Sequence, residues 1–138
     1  MPGADVSFDL IARRFVDAFN RRDADGLVAL SDPVIEFHPT SLVGRRQRYD
    51  GHDGLRRWVA ELEASSLGHQ VRVREVRPRE DGFVLLSEVL LDGKLVTPSA
   101  MVARLSDRHA IVEARAFLTD AELLAHIGVM PDESSDIA

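Results

Sequence analysis

Between Phe8 and Arg22 the apolar residues Phe8, Ile11, Ala12, Phe15, Val16 and Phe19 recur at the three-and-four spacing of one helix face. Ser7 or Asp5 is placed to accept hydrogen bonds from its first amides. A shorter helix is predicted over 24–31 from Leu27, Val28 and Leu30, with Asp23 as its cap and Pro33 stopping its continuation. The apolar stretch 34–38 suits a strand that Pro39 ends, because proline removes a ladder donor. Residues 40–51 read as a loop with Gly44, Arg45, Arg46, Arg48 and Gly51. A third helix is predicted over 53–67, with Leu55, Trp58, Val59 and Leu62 on one face and Gly68 closing it.

The period then changes. Residues 70–77 alternate in part, at Val71 and Val73, and Asp81-Gly82 and Asp92-Gly93 are tight-turn signals. They bracket a strand over 83–91, and strands over 95–105 and 110–118 follow, separated by Ser106–His109. Thr119 to Glu122 forms a capping box for a last helix over 120–127, with Gly128 just past it. Helices followed by a run of strands predict an α+β domain, its helices on one face of a curved antiparallel sheet. One domain over 1–128 and a flexible acidic tail over 129–138 are expected.

The strands divide into two faces. On 83–91, Leu85, Ser87 and Val89 share one side, and Leu86, Glu88 and Leu90 the other. Period two adds Val102, Arg104, Glu113, Arg115 and Phe117 to the second side. That face is too apolar for water and too charged for a dry core. A symmetric homodimer interface with crossing ion pairs fits both properties. The alternative is a monomer whose arginine stems cover their apolar neighbours.

Composition narrows the chemistry. The 138 residues are 45% hydrophobic and 29% charged, as in a soluble globular domain, and contain no cysteine. Disulfides, thiolate metal sites and cysteine nucleophiles are excluded. The net charge of −6 disfavours nucleic acid as a partner. No secretory signal opens the sequence and no run of about 18 apolar residues is present, so a cytoplasmic location without membrane insertion is expected. The five histidines show no ligand spacing, and neither a metal nor a cofactor is expected. Tyr49 and the arginines at 45, 46 and 48 form a basic loop that either draws an anionic ligand or is simply solvated.

Three stretches carry a family resemblance. Arg14–Leu30, in which a helix ends in Asn20-x-x-Asp23 and another begins at once, resembles the opening helix pair of nuclear transport factor 2-like proteins, in their SnoaL-like and ketosteroid isomerase-like branch. Tyr49–Trp58 resembles the family's entry to the third helix, and Ile111–Asp120 its final strand. The likeness implies a cone-like α+β barrel: helices packed on a curved, mixed, mostly antiparallel sheet enclosing a pocket. It implies that Phe15, Phe19, Tyr49, Trp58, Val59 and Leu85 approach that pocket, with Ser87, Val89, Met101, Ala103, Val112, Ala114, Ala116 and Leu118.

The same resemblance weighs the chemistry. Ketosteroid isomerases use an Asp base, with a Tyr and a protonated Asp on the substrate carbonyl. Those positions correspond to His38, Phe15 and Met101, and the last two have no acidic proton to give. The Tyr/Asp/Asp mechanism is therefore not expected. The likeness implies His38 as base with Glu36 assisting, in cofactor-free isomerisation, cyclisation, hydration or hydrolysis of a small apolar molecule. A structural His38–Glu36 pair in a non-catalytic binding or interaction module is the alternative. A register slip of one residue within 83–105 would turn Glu88 and Arg104 into the pocket, approximating the Asp-Arg-Asp cluster of limonene epoxide hydrolase-like relatives.

Overall fold

The computed structural model describes residues 2–39, 48–65 and 68–118, with side chains from Phe8 onward. The opening apolar stripe becomes helix α1, Pro2–Asn20, burying Ala12, Phe15, Val16 and Phe19. It starts earlier than the stripe predicted, so Ser7 and Asp5 lie inside the helix instead of capping it. Helix α2 spans Ala24–Ala29, and Asp23 caps it by accepting from the Gly26 amide at 3.0 Å.

Strand β1 spans Ser31–His38 and includes Pro33, which was expected to precede it. It runs parallel to the last strand, β6 (Ile111–Phe117). Their ladder pairs Ser31 with Ile111 and resumes at Glu36 with Glu113. Pro33 falls in the interrupted stretch, where its missing donor breaks no pair. A two-residue strand, β2 (Tyr49–Asp50), pairs with Phe37 and Glu36 where a loop was expected. So short a strand leaves no period to read. Helix α3 spans Gly51–Ser65 and starts two residues earlier than predicted.

Strands β3 (Gln70–Arg79), β4 (Gly82–Leu91) and β5 (Lys94–Leu105) complete a six-stranded, curved, unclosed sheet of order β2-β1-β6-β5-β4-β3. All neighbours are antiparallel except β1 and β6. The Asp92-Gly93 turn has positive φ at both residues (54° and 78°), as a two-residue hairpin requires. Gly82 answers a different need. A Cβ there would lie 2.0 Å from the Ala103 carbonyl oxygen, so only glycine lets β4 and β5 approach.

The feared slip does not occur. Val89 pairs with Thr97 but Leu90 pairs with Leu95, so Val96 is an extra residue taken up beside the turn. From Thr97 onward the phase holds: Ser87 opposes Ser99 and Leu85 opposes Met101, while Glu88 and Arg104 stay on the other face. The main core lies between the helices and the inner face, with Leu27, Ile35, Leu55, Phe83 and Ile111 fully buried. A smaller apolar cluster on the outer face joins Val84 and Ala100 to Leu86, Val102 and Phe117. Among the described residues no helix is long and apolar enough to cross a membrane. The helix expected over 120–127, the tail and Gly44, Arg45 and Arg46 lie outside the described residues.

Candidate functional site

The site begins where α1 ends. Asn20 acts as an extra rung beside β3: its side-chain amide donates to the Val71 carbonyl and its oxygen accepts from the Val71 amide, both at 2.8 Å. Arg22, held at φ 54°, donates to the carbonyls of Phe19 and His69, each at 2.9 Å. These contacts fasten the start of β3 to the helix and leave a cavity of about 100 Å³ between α1, α3 and the inner sheet face.

Its walls are mostly apolar. Helix α1 supplies Phe15, Val16 and Phe19, α3 supplies Trp58 and Leu62, and Phe37 and Pro39 come from the end of β1. The Trp58 ring lies 4.4 Å from Phe37 and 5.4 Å from Phe19, centroid to centroid, the latter stacked. Val71, Leu85, Val89, Met101 and Ala116 form the sheet side. Three polar side chains join them: His69, set 5.4 Å from the Phe19 ring, and Ser87 and Ser99, whose hydroxyls bond each other at 2.8 Å.

The structure thus brings Phe15, Phe19, Trp58, Leu85, Ser87, Val89, Met101 and Ala116 to one wall or another. The other expected lining residues lie elsewhere. Val59, Ala103 and Ala114 are buried in the solid core. Val112 and Leu118 are half-buried and off the wall. Tyr49 is buried against α3, where its hydroxyl donates to Glu61 and Arg57 sits 5.3 Å above its ring. Burial, with the Glu61 bond second, pushes its phenol up to about 12.

Glu36 and His38 lie across β1 from the cavity, not beside it. Their neighbours Ile35 and Phe37 take the inner face, at 0% and 2% exposure. The plain alternation of 35 and 37 with 36 and 38 carries this division; the resemblance had set it the other way. On the outer face His38 Nε2 lies 3.6 Å from Glu36 and is buried, with no hydrogen-bond partner among the described residues. Glu113 joins them, and one ligand-type atom from each of the three lies within 4.8 Å of the others. A cation would have to displace arginines here. Arg104 and Arg115 bind Glu113 at 3.4 and 3.2 Å, and Arg48 approaches Glu36 at 3.7 Å. Burial works to raise the Glu113 carboxyl, but the hydrogen bonds and charges of Arg115 and Arg104 outweigh it and hold it below the usual range. The outer-face charges pair within the chain, Arg72 with Glu88 at 2.7 Å among them.

Val16, Phe37, Pro39, Leu62, His69, Val71, Ser99 and Ala100 were missed as lining residues. Helix period already grouped Val16 with Phe15 and Leu62 with Trp58. Strand period groups Ser99 with Met101. Nothing local marks His69; the tertiary pairing places it.

This arrangement, an apolar cavity between an opening helix, a third helix and a curved sheet, has known counterparts. The sequence pattern of the SnoaL-like domain matches residues 12–117. The chain belongs to the SnoaL-like family. Solved structures share its fold at low identity. A suggested isomerase of the SnoaL-like family from Agrobacterium tumefaciens is 13% identical with a TM-score of 0.70, covering 83% of this chain and 98% of its own. An NTF2-like protein of unknown function from Burkholderia pseudomallei is 17% identical with a TM-score of 0.70, covering 86% and 95%. A protein of ketosteroid isomerase-like fold from Catenulispora acidiphila, solved with trimethylamine, is 15% identical with a TM-score of 0.66, covering 88% and 95%. Among curated proteins, none matches this SnoaL-like chain.

Proposed function

We propose that this SnoaL-like protein binds a compact, mostly apolar organic molecule in the cavity, and that it works as a homodimer joined through the outer sheet face. The aromatic and aliphatic walls around about 100 Å³ carry the reading. An engineered apolar cavity of about 150 Å³ takes benzene, so the part of the ligand that this smaller space encloses is at most a single ring or a short branched chain. The trimethylamine complex of the Catenulispora acidiphila relative supports a small guest in this fold.

Acid–base chemistry, such as isomerisation, cyclisation or hydration, falls to His69 in this reading. It is the one titratable side chain among the described lining residues. Glu36 and His38 would have to act through β1. Phe15 and Met101 line the cavity with no proton to offer an oxyanion, which speaks against the Tyr/Asp/Asp mechanism of steroid isomerases. The dimer rests on the apolar outer cluster of Val84, Leu86, Ala100, Val102 and Phe117, rimmed by ion pairs.

Trp58 is the only tryptophan of the chain and stands in the cavity wall, so its fluorescence reports occupancy. Titration with toluene or methylenecyclohexane is expected to give a saturable change. No saturable change with ring-sized compounds overturns the cavity reading.

A further inference from the structure

We propose that the Ser87–Ser99 hydroxyl pair is the polar subsite of the cavity and that it receives the carbonyl oxygen of a ring-sized ligand. This rests on the cavity reading above and adds the chemical class of the guest.

The two serines face each other directly across β4 and β5, flanked on the same face by the pairs Leu85–Met101 and Val89–Thr97. Ser87 is 4% exposed and Ser99 is half-buried. Two hydroxyls own two hydrogens, and their mutual bond uses one. Among the described residues neither side chain has another hydrogen bond, so one O–H is left for an acceptor that those residues do not supply. Burying such a donor is unfavourable unless an acceptor meets it. Alanine or valine at either position would finish the apolar wall without that cost.

The pair is also biased toward giving a hydrogen bond. A hydroxyl that already accepts from its neighbour is polarised and donates more strongly. A carbonyl oxygen answers that donor and brings no further donor of its own. A carboxylate fits less well, since no Lys or Arg stands among the described lining residues to balance its charge. With the oxygen on the β4–β5 wall, the body of the ligand meets Phe19, Phe37 and Trp58.

The test compares two isosteres, cyclohexanone and methylenecyclohexane, which differ by C=O against C=CH₂. Both are titrated into wild type and the double variant Ser87→Ala, Ser99→Ala, reading Trp58 fluorescence. The quantity that matters is the ketone-to-hydrocarbon affinity ratio, since differences in water solubility cancel between the proteins. It is expected to fall about three- to tenfold in the variant, while hydrocarbon affinity holds or rises. Should the double variant not fold, Ser99→Ala alone is expected to show a smaller fall. Hydrocarbon binding with an unchanged ratio overturns the subsite and leaves the cavity reading standing. Absence of binding by either compound to wild type overturns both.

Discussion

Phe37 and His38 are consecutive on β1 and stand on opposite faces of the sheet. The Phe37 ring packs 4.4 Å from Trp58 in the cavity wall, while His38 Nε2 lies 3.6 Å from Glu36 on the outer face. The strand backbone separates the most basic-looking candidate in the sequence from the space a ligand would enter. His38→Ala is therefore expected to leave ring-sized ligand affinity within about twofold of wild type, because no wall atom is removed. Trp58 fluorescence titration checks this. A loss of tenfold or more would return His38 to the site.

Tyr49 makes the fold sensitive to alkali. Its phenol is raised to about 12 from 10.0, chiefly by burial. A raised folded value means the native state keeps a proton that the unfolded chain releases first. The contribution is complete below pH 10 and is lost as pH rises toward 12. Denaturant unfolding of wild type and Tyr49→Phe from pH 8 to 11 should show the steeper decline in wild type. Parallel slopes would count against it.

Glu113 works at the other end of the scale. Its carboxyl is held below the ordinary 4.5 by Arg115 and Arg104, despite the opposing effect of burial. That stability is present above pH 4.5 and is lost as pH falls through the lowered folded value. Melting temperature should therefore drop more on acidification from pH 5 to 3 in wild type than in Glu113→Gln. Equal drops would show that the ion triad does not stabilise the fold.

Gly82 tests the β4–β5 approach. A methyl at that position meets the Ala103 carbonyl carbon and oxygen, which are backbone atoms and cannot rotate away. Gly82→Ala is expected to cost about 2 kcal/mol or more in unfolding free energy, as overpacking does in tight interiors. A change below 0.5 kcal/mol in urea denaturation would refute the contact.

The outer cluster gives the dimer its test. Leu86→Glu places a carboxylate among Val84, Val102 and Phe117, and a charge at the apolar centre of an interface opposes association. Light scattering at micromolar concentration is expected to give twice the chain mass for wild type and the single-chain mass for the variant. A wild-type mass equal to one chain overturns the dimer.

Much of this architecture was legible locally. The stripe from Phe8 to Phe19 and the face of Leu55, Trp58 and Leu62 follow from helix period, which neighbouring residues alone determine. The two-face division of β4 to β6 follows from alternation in the same way: it placed Leu85 and Ser87 on one side and Val102, Glu113 and Phe117 on the other, and the family likeness added Met101 and Ala116 to the inner wall. On β1 the same rule, applied to Ile35 and Phe37 against Glu36 and His38, agrees with the structure where the family likeness did not.

Other features depended on which strands meet. The parallel pairing of β1 with β6 joins segments some 80 residues apart and sets Glu113 beside Glu36 and His38. Ser99 becomes half of a polar subsite only because β4 and β5 pair in one register, with Val96 absorbed near the turn. His69 reaches the cavity because Asn20 and Arg22 fasten β3 to the end of α1. Alternation and helix stripes are properties of a short stretch of chain, so the sequence determined them by itself. Hydrogen-bond ladders between distant segments and the gap left where helices fail to fill a curved sheet belong to the folded whole, so tertiary structure alone decided the cavity and its chemistry.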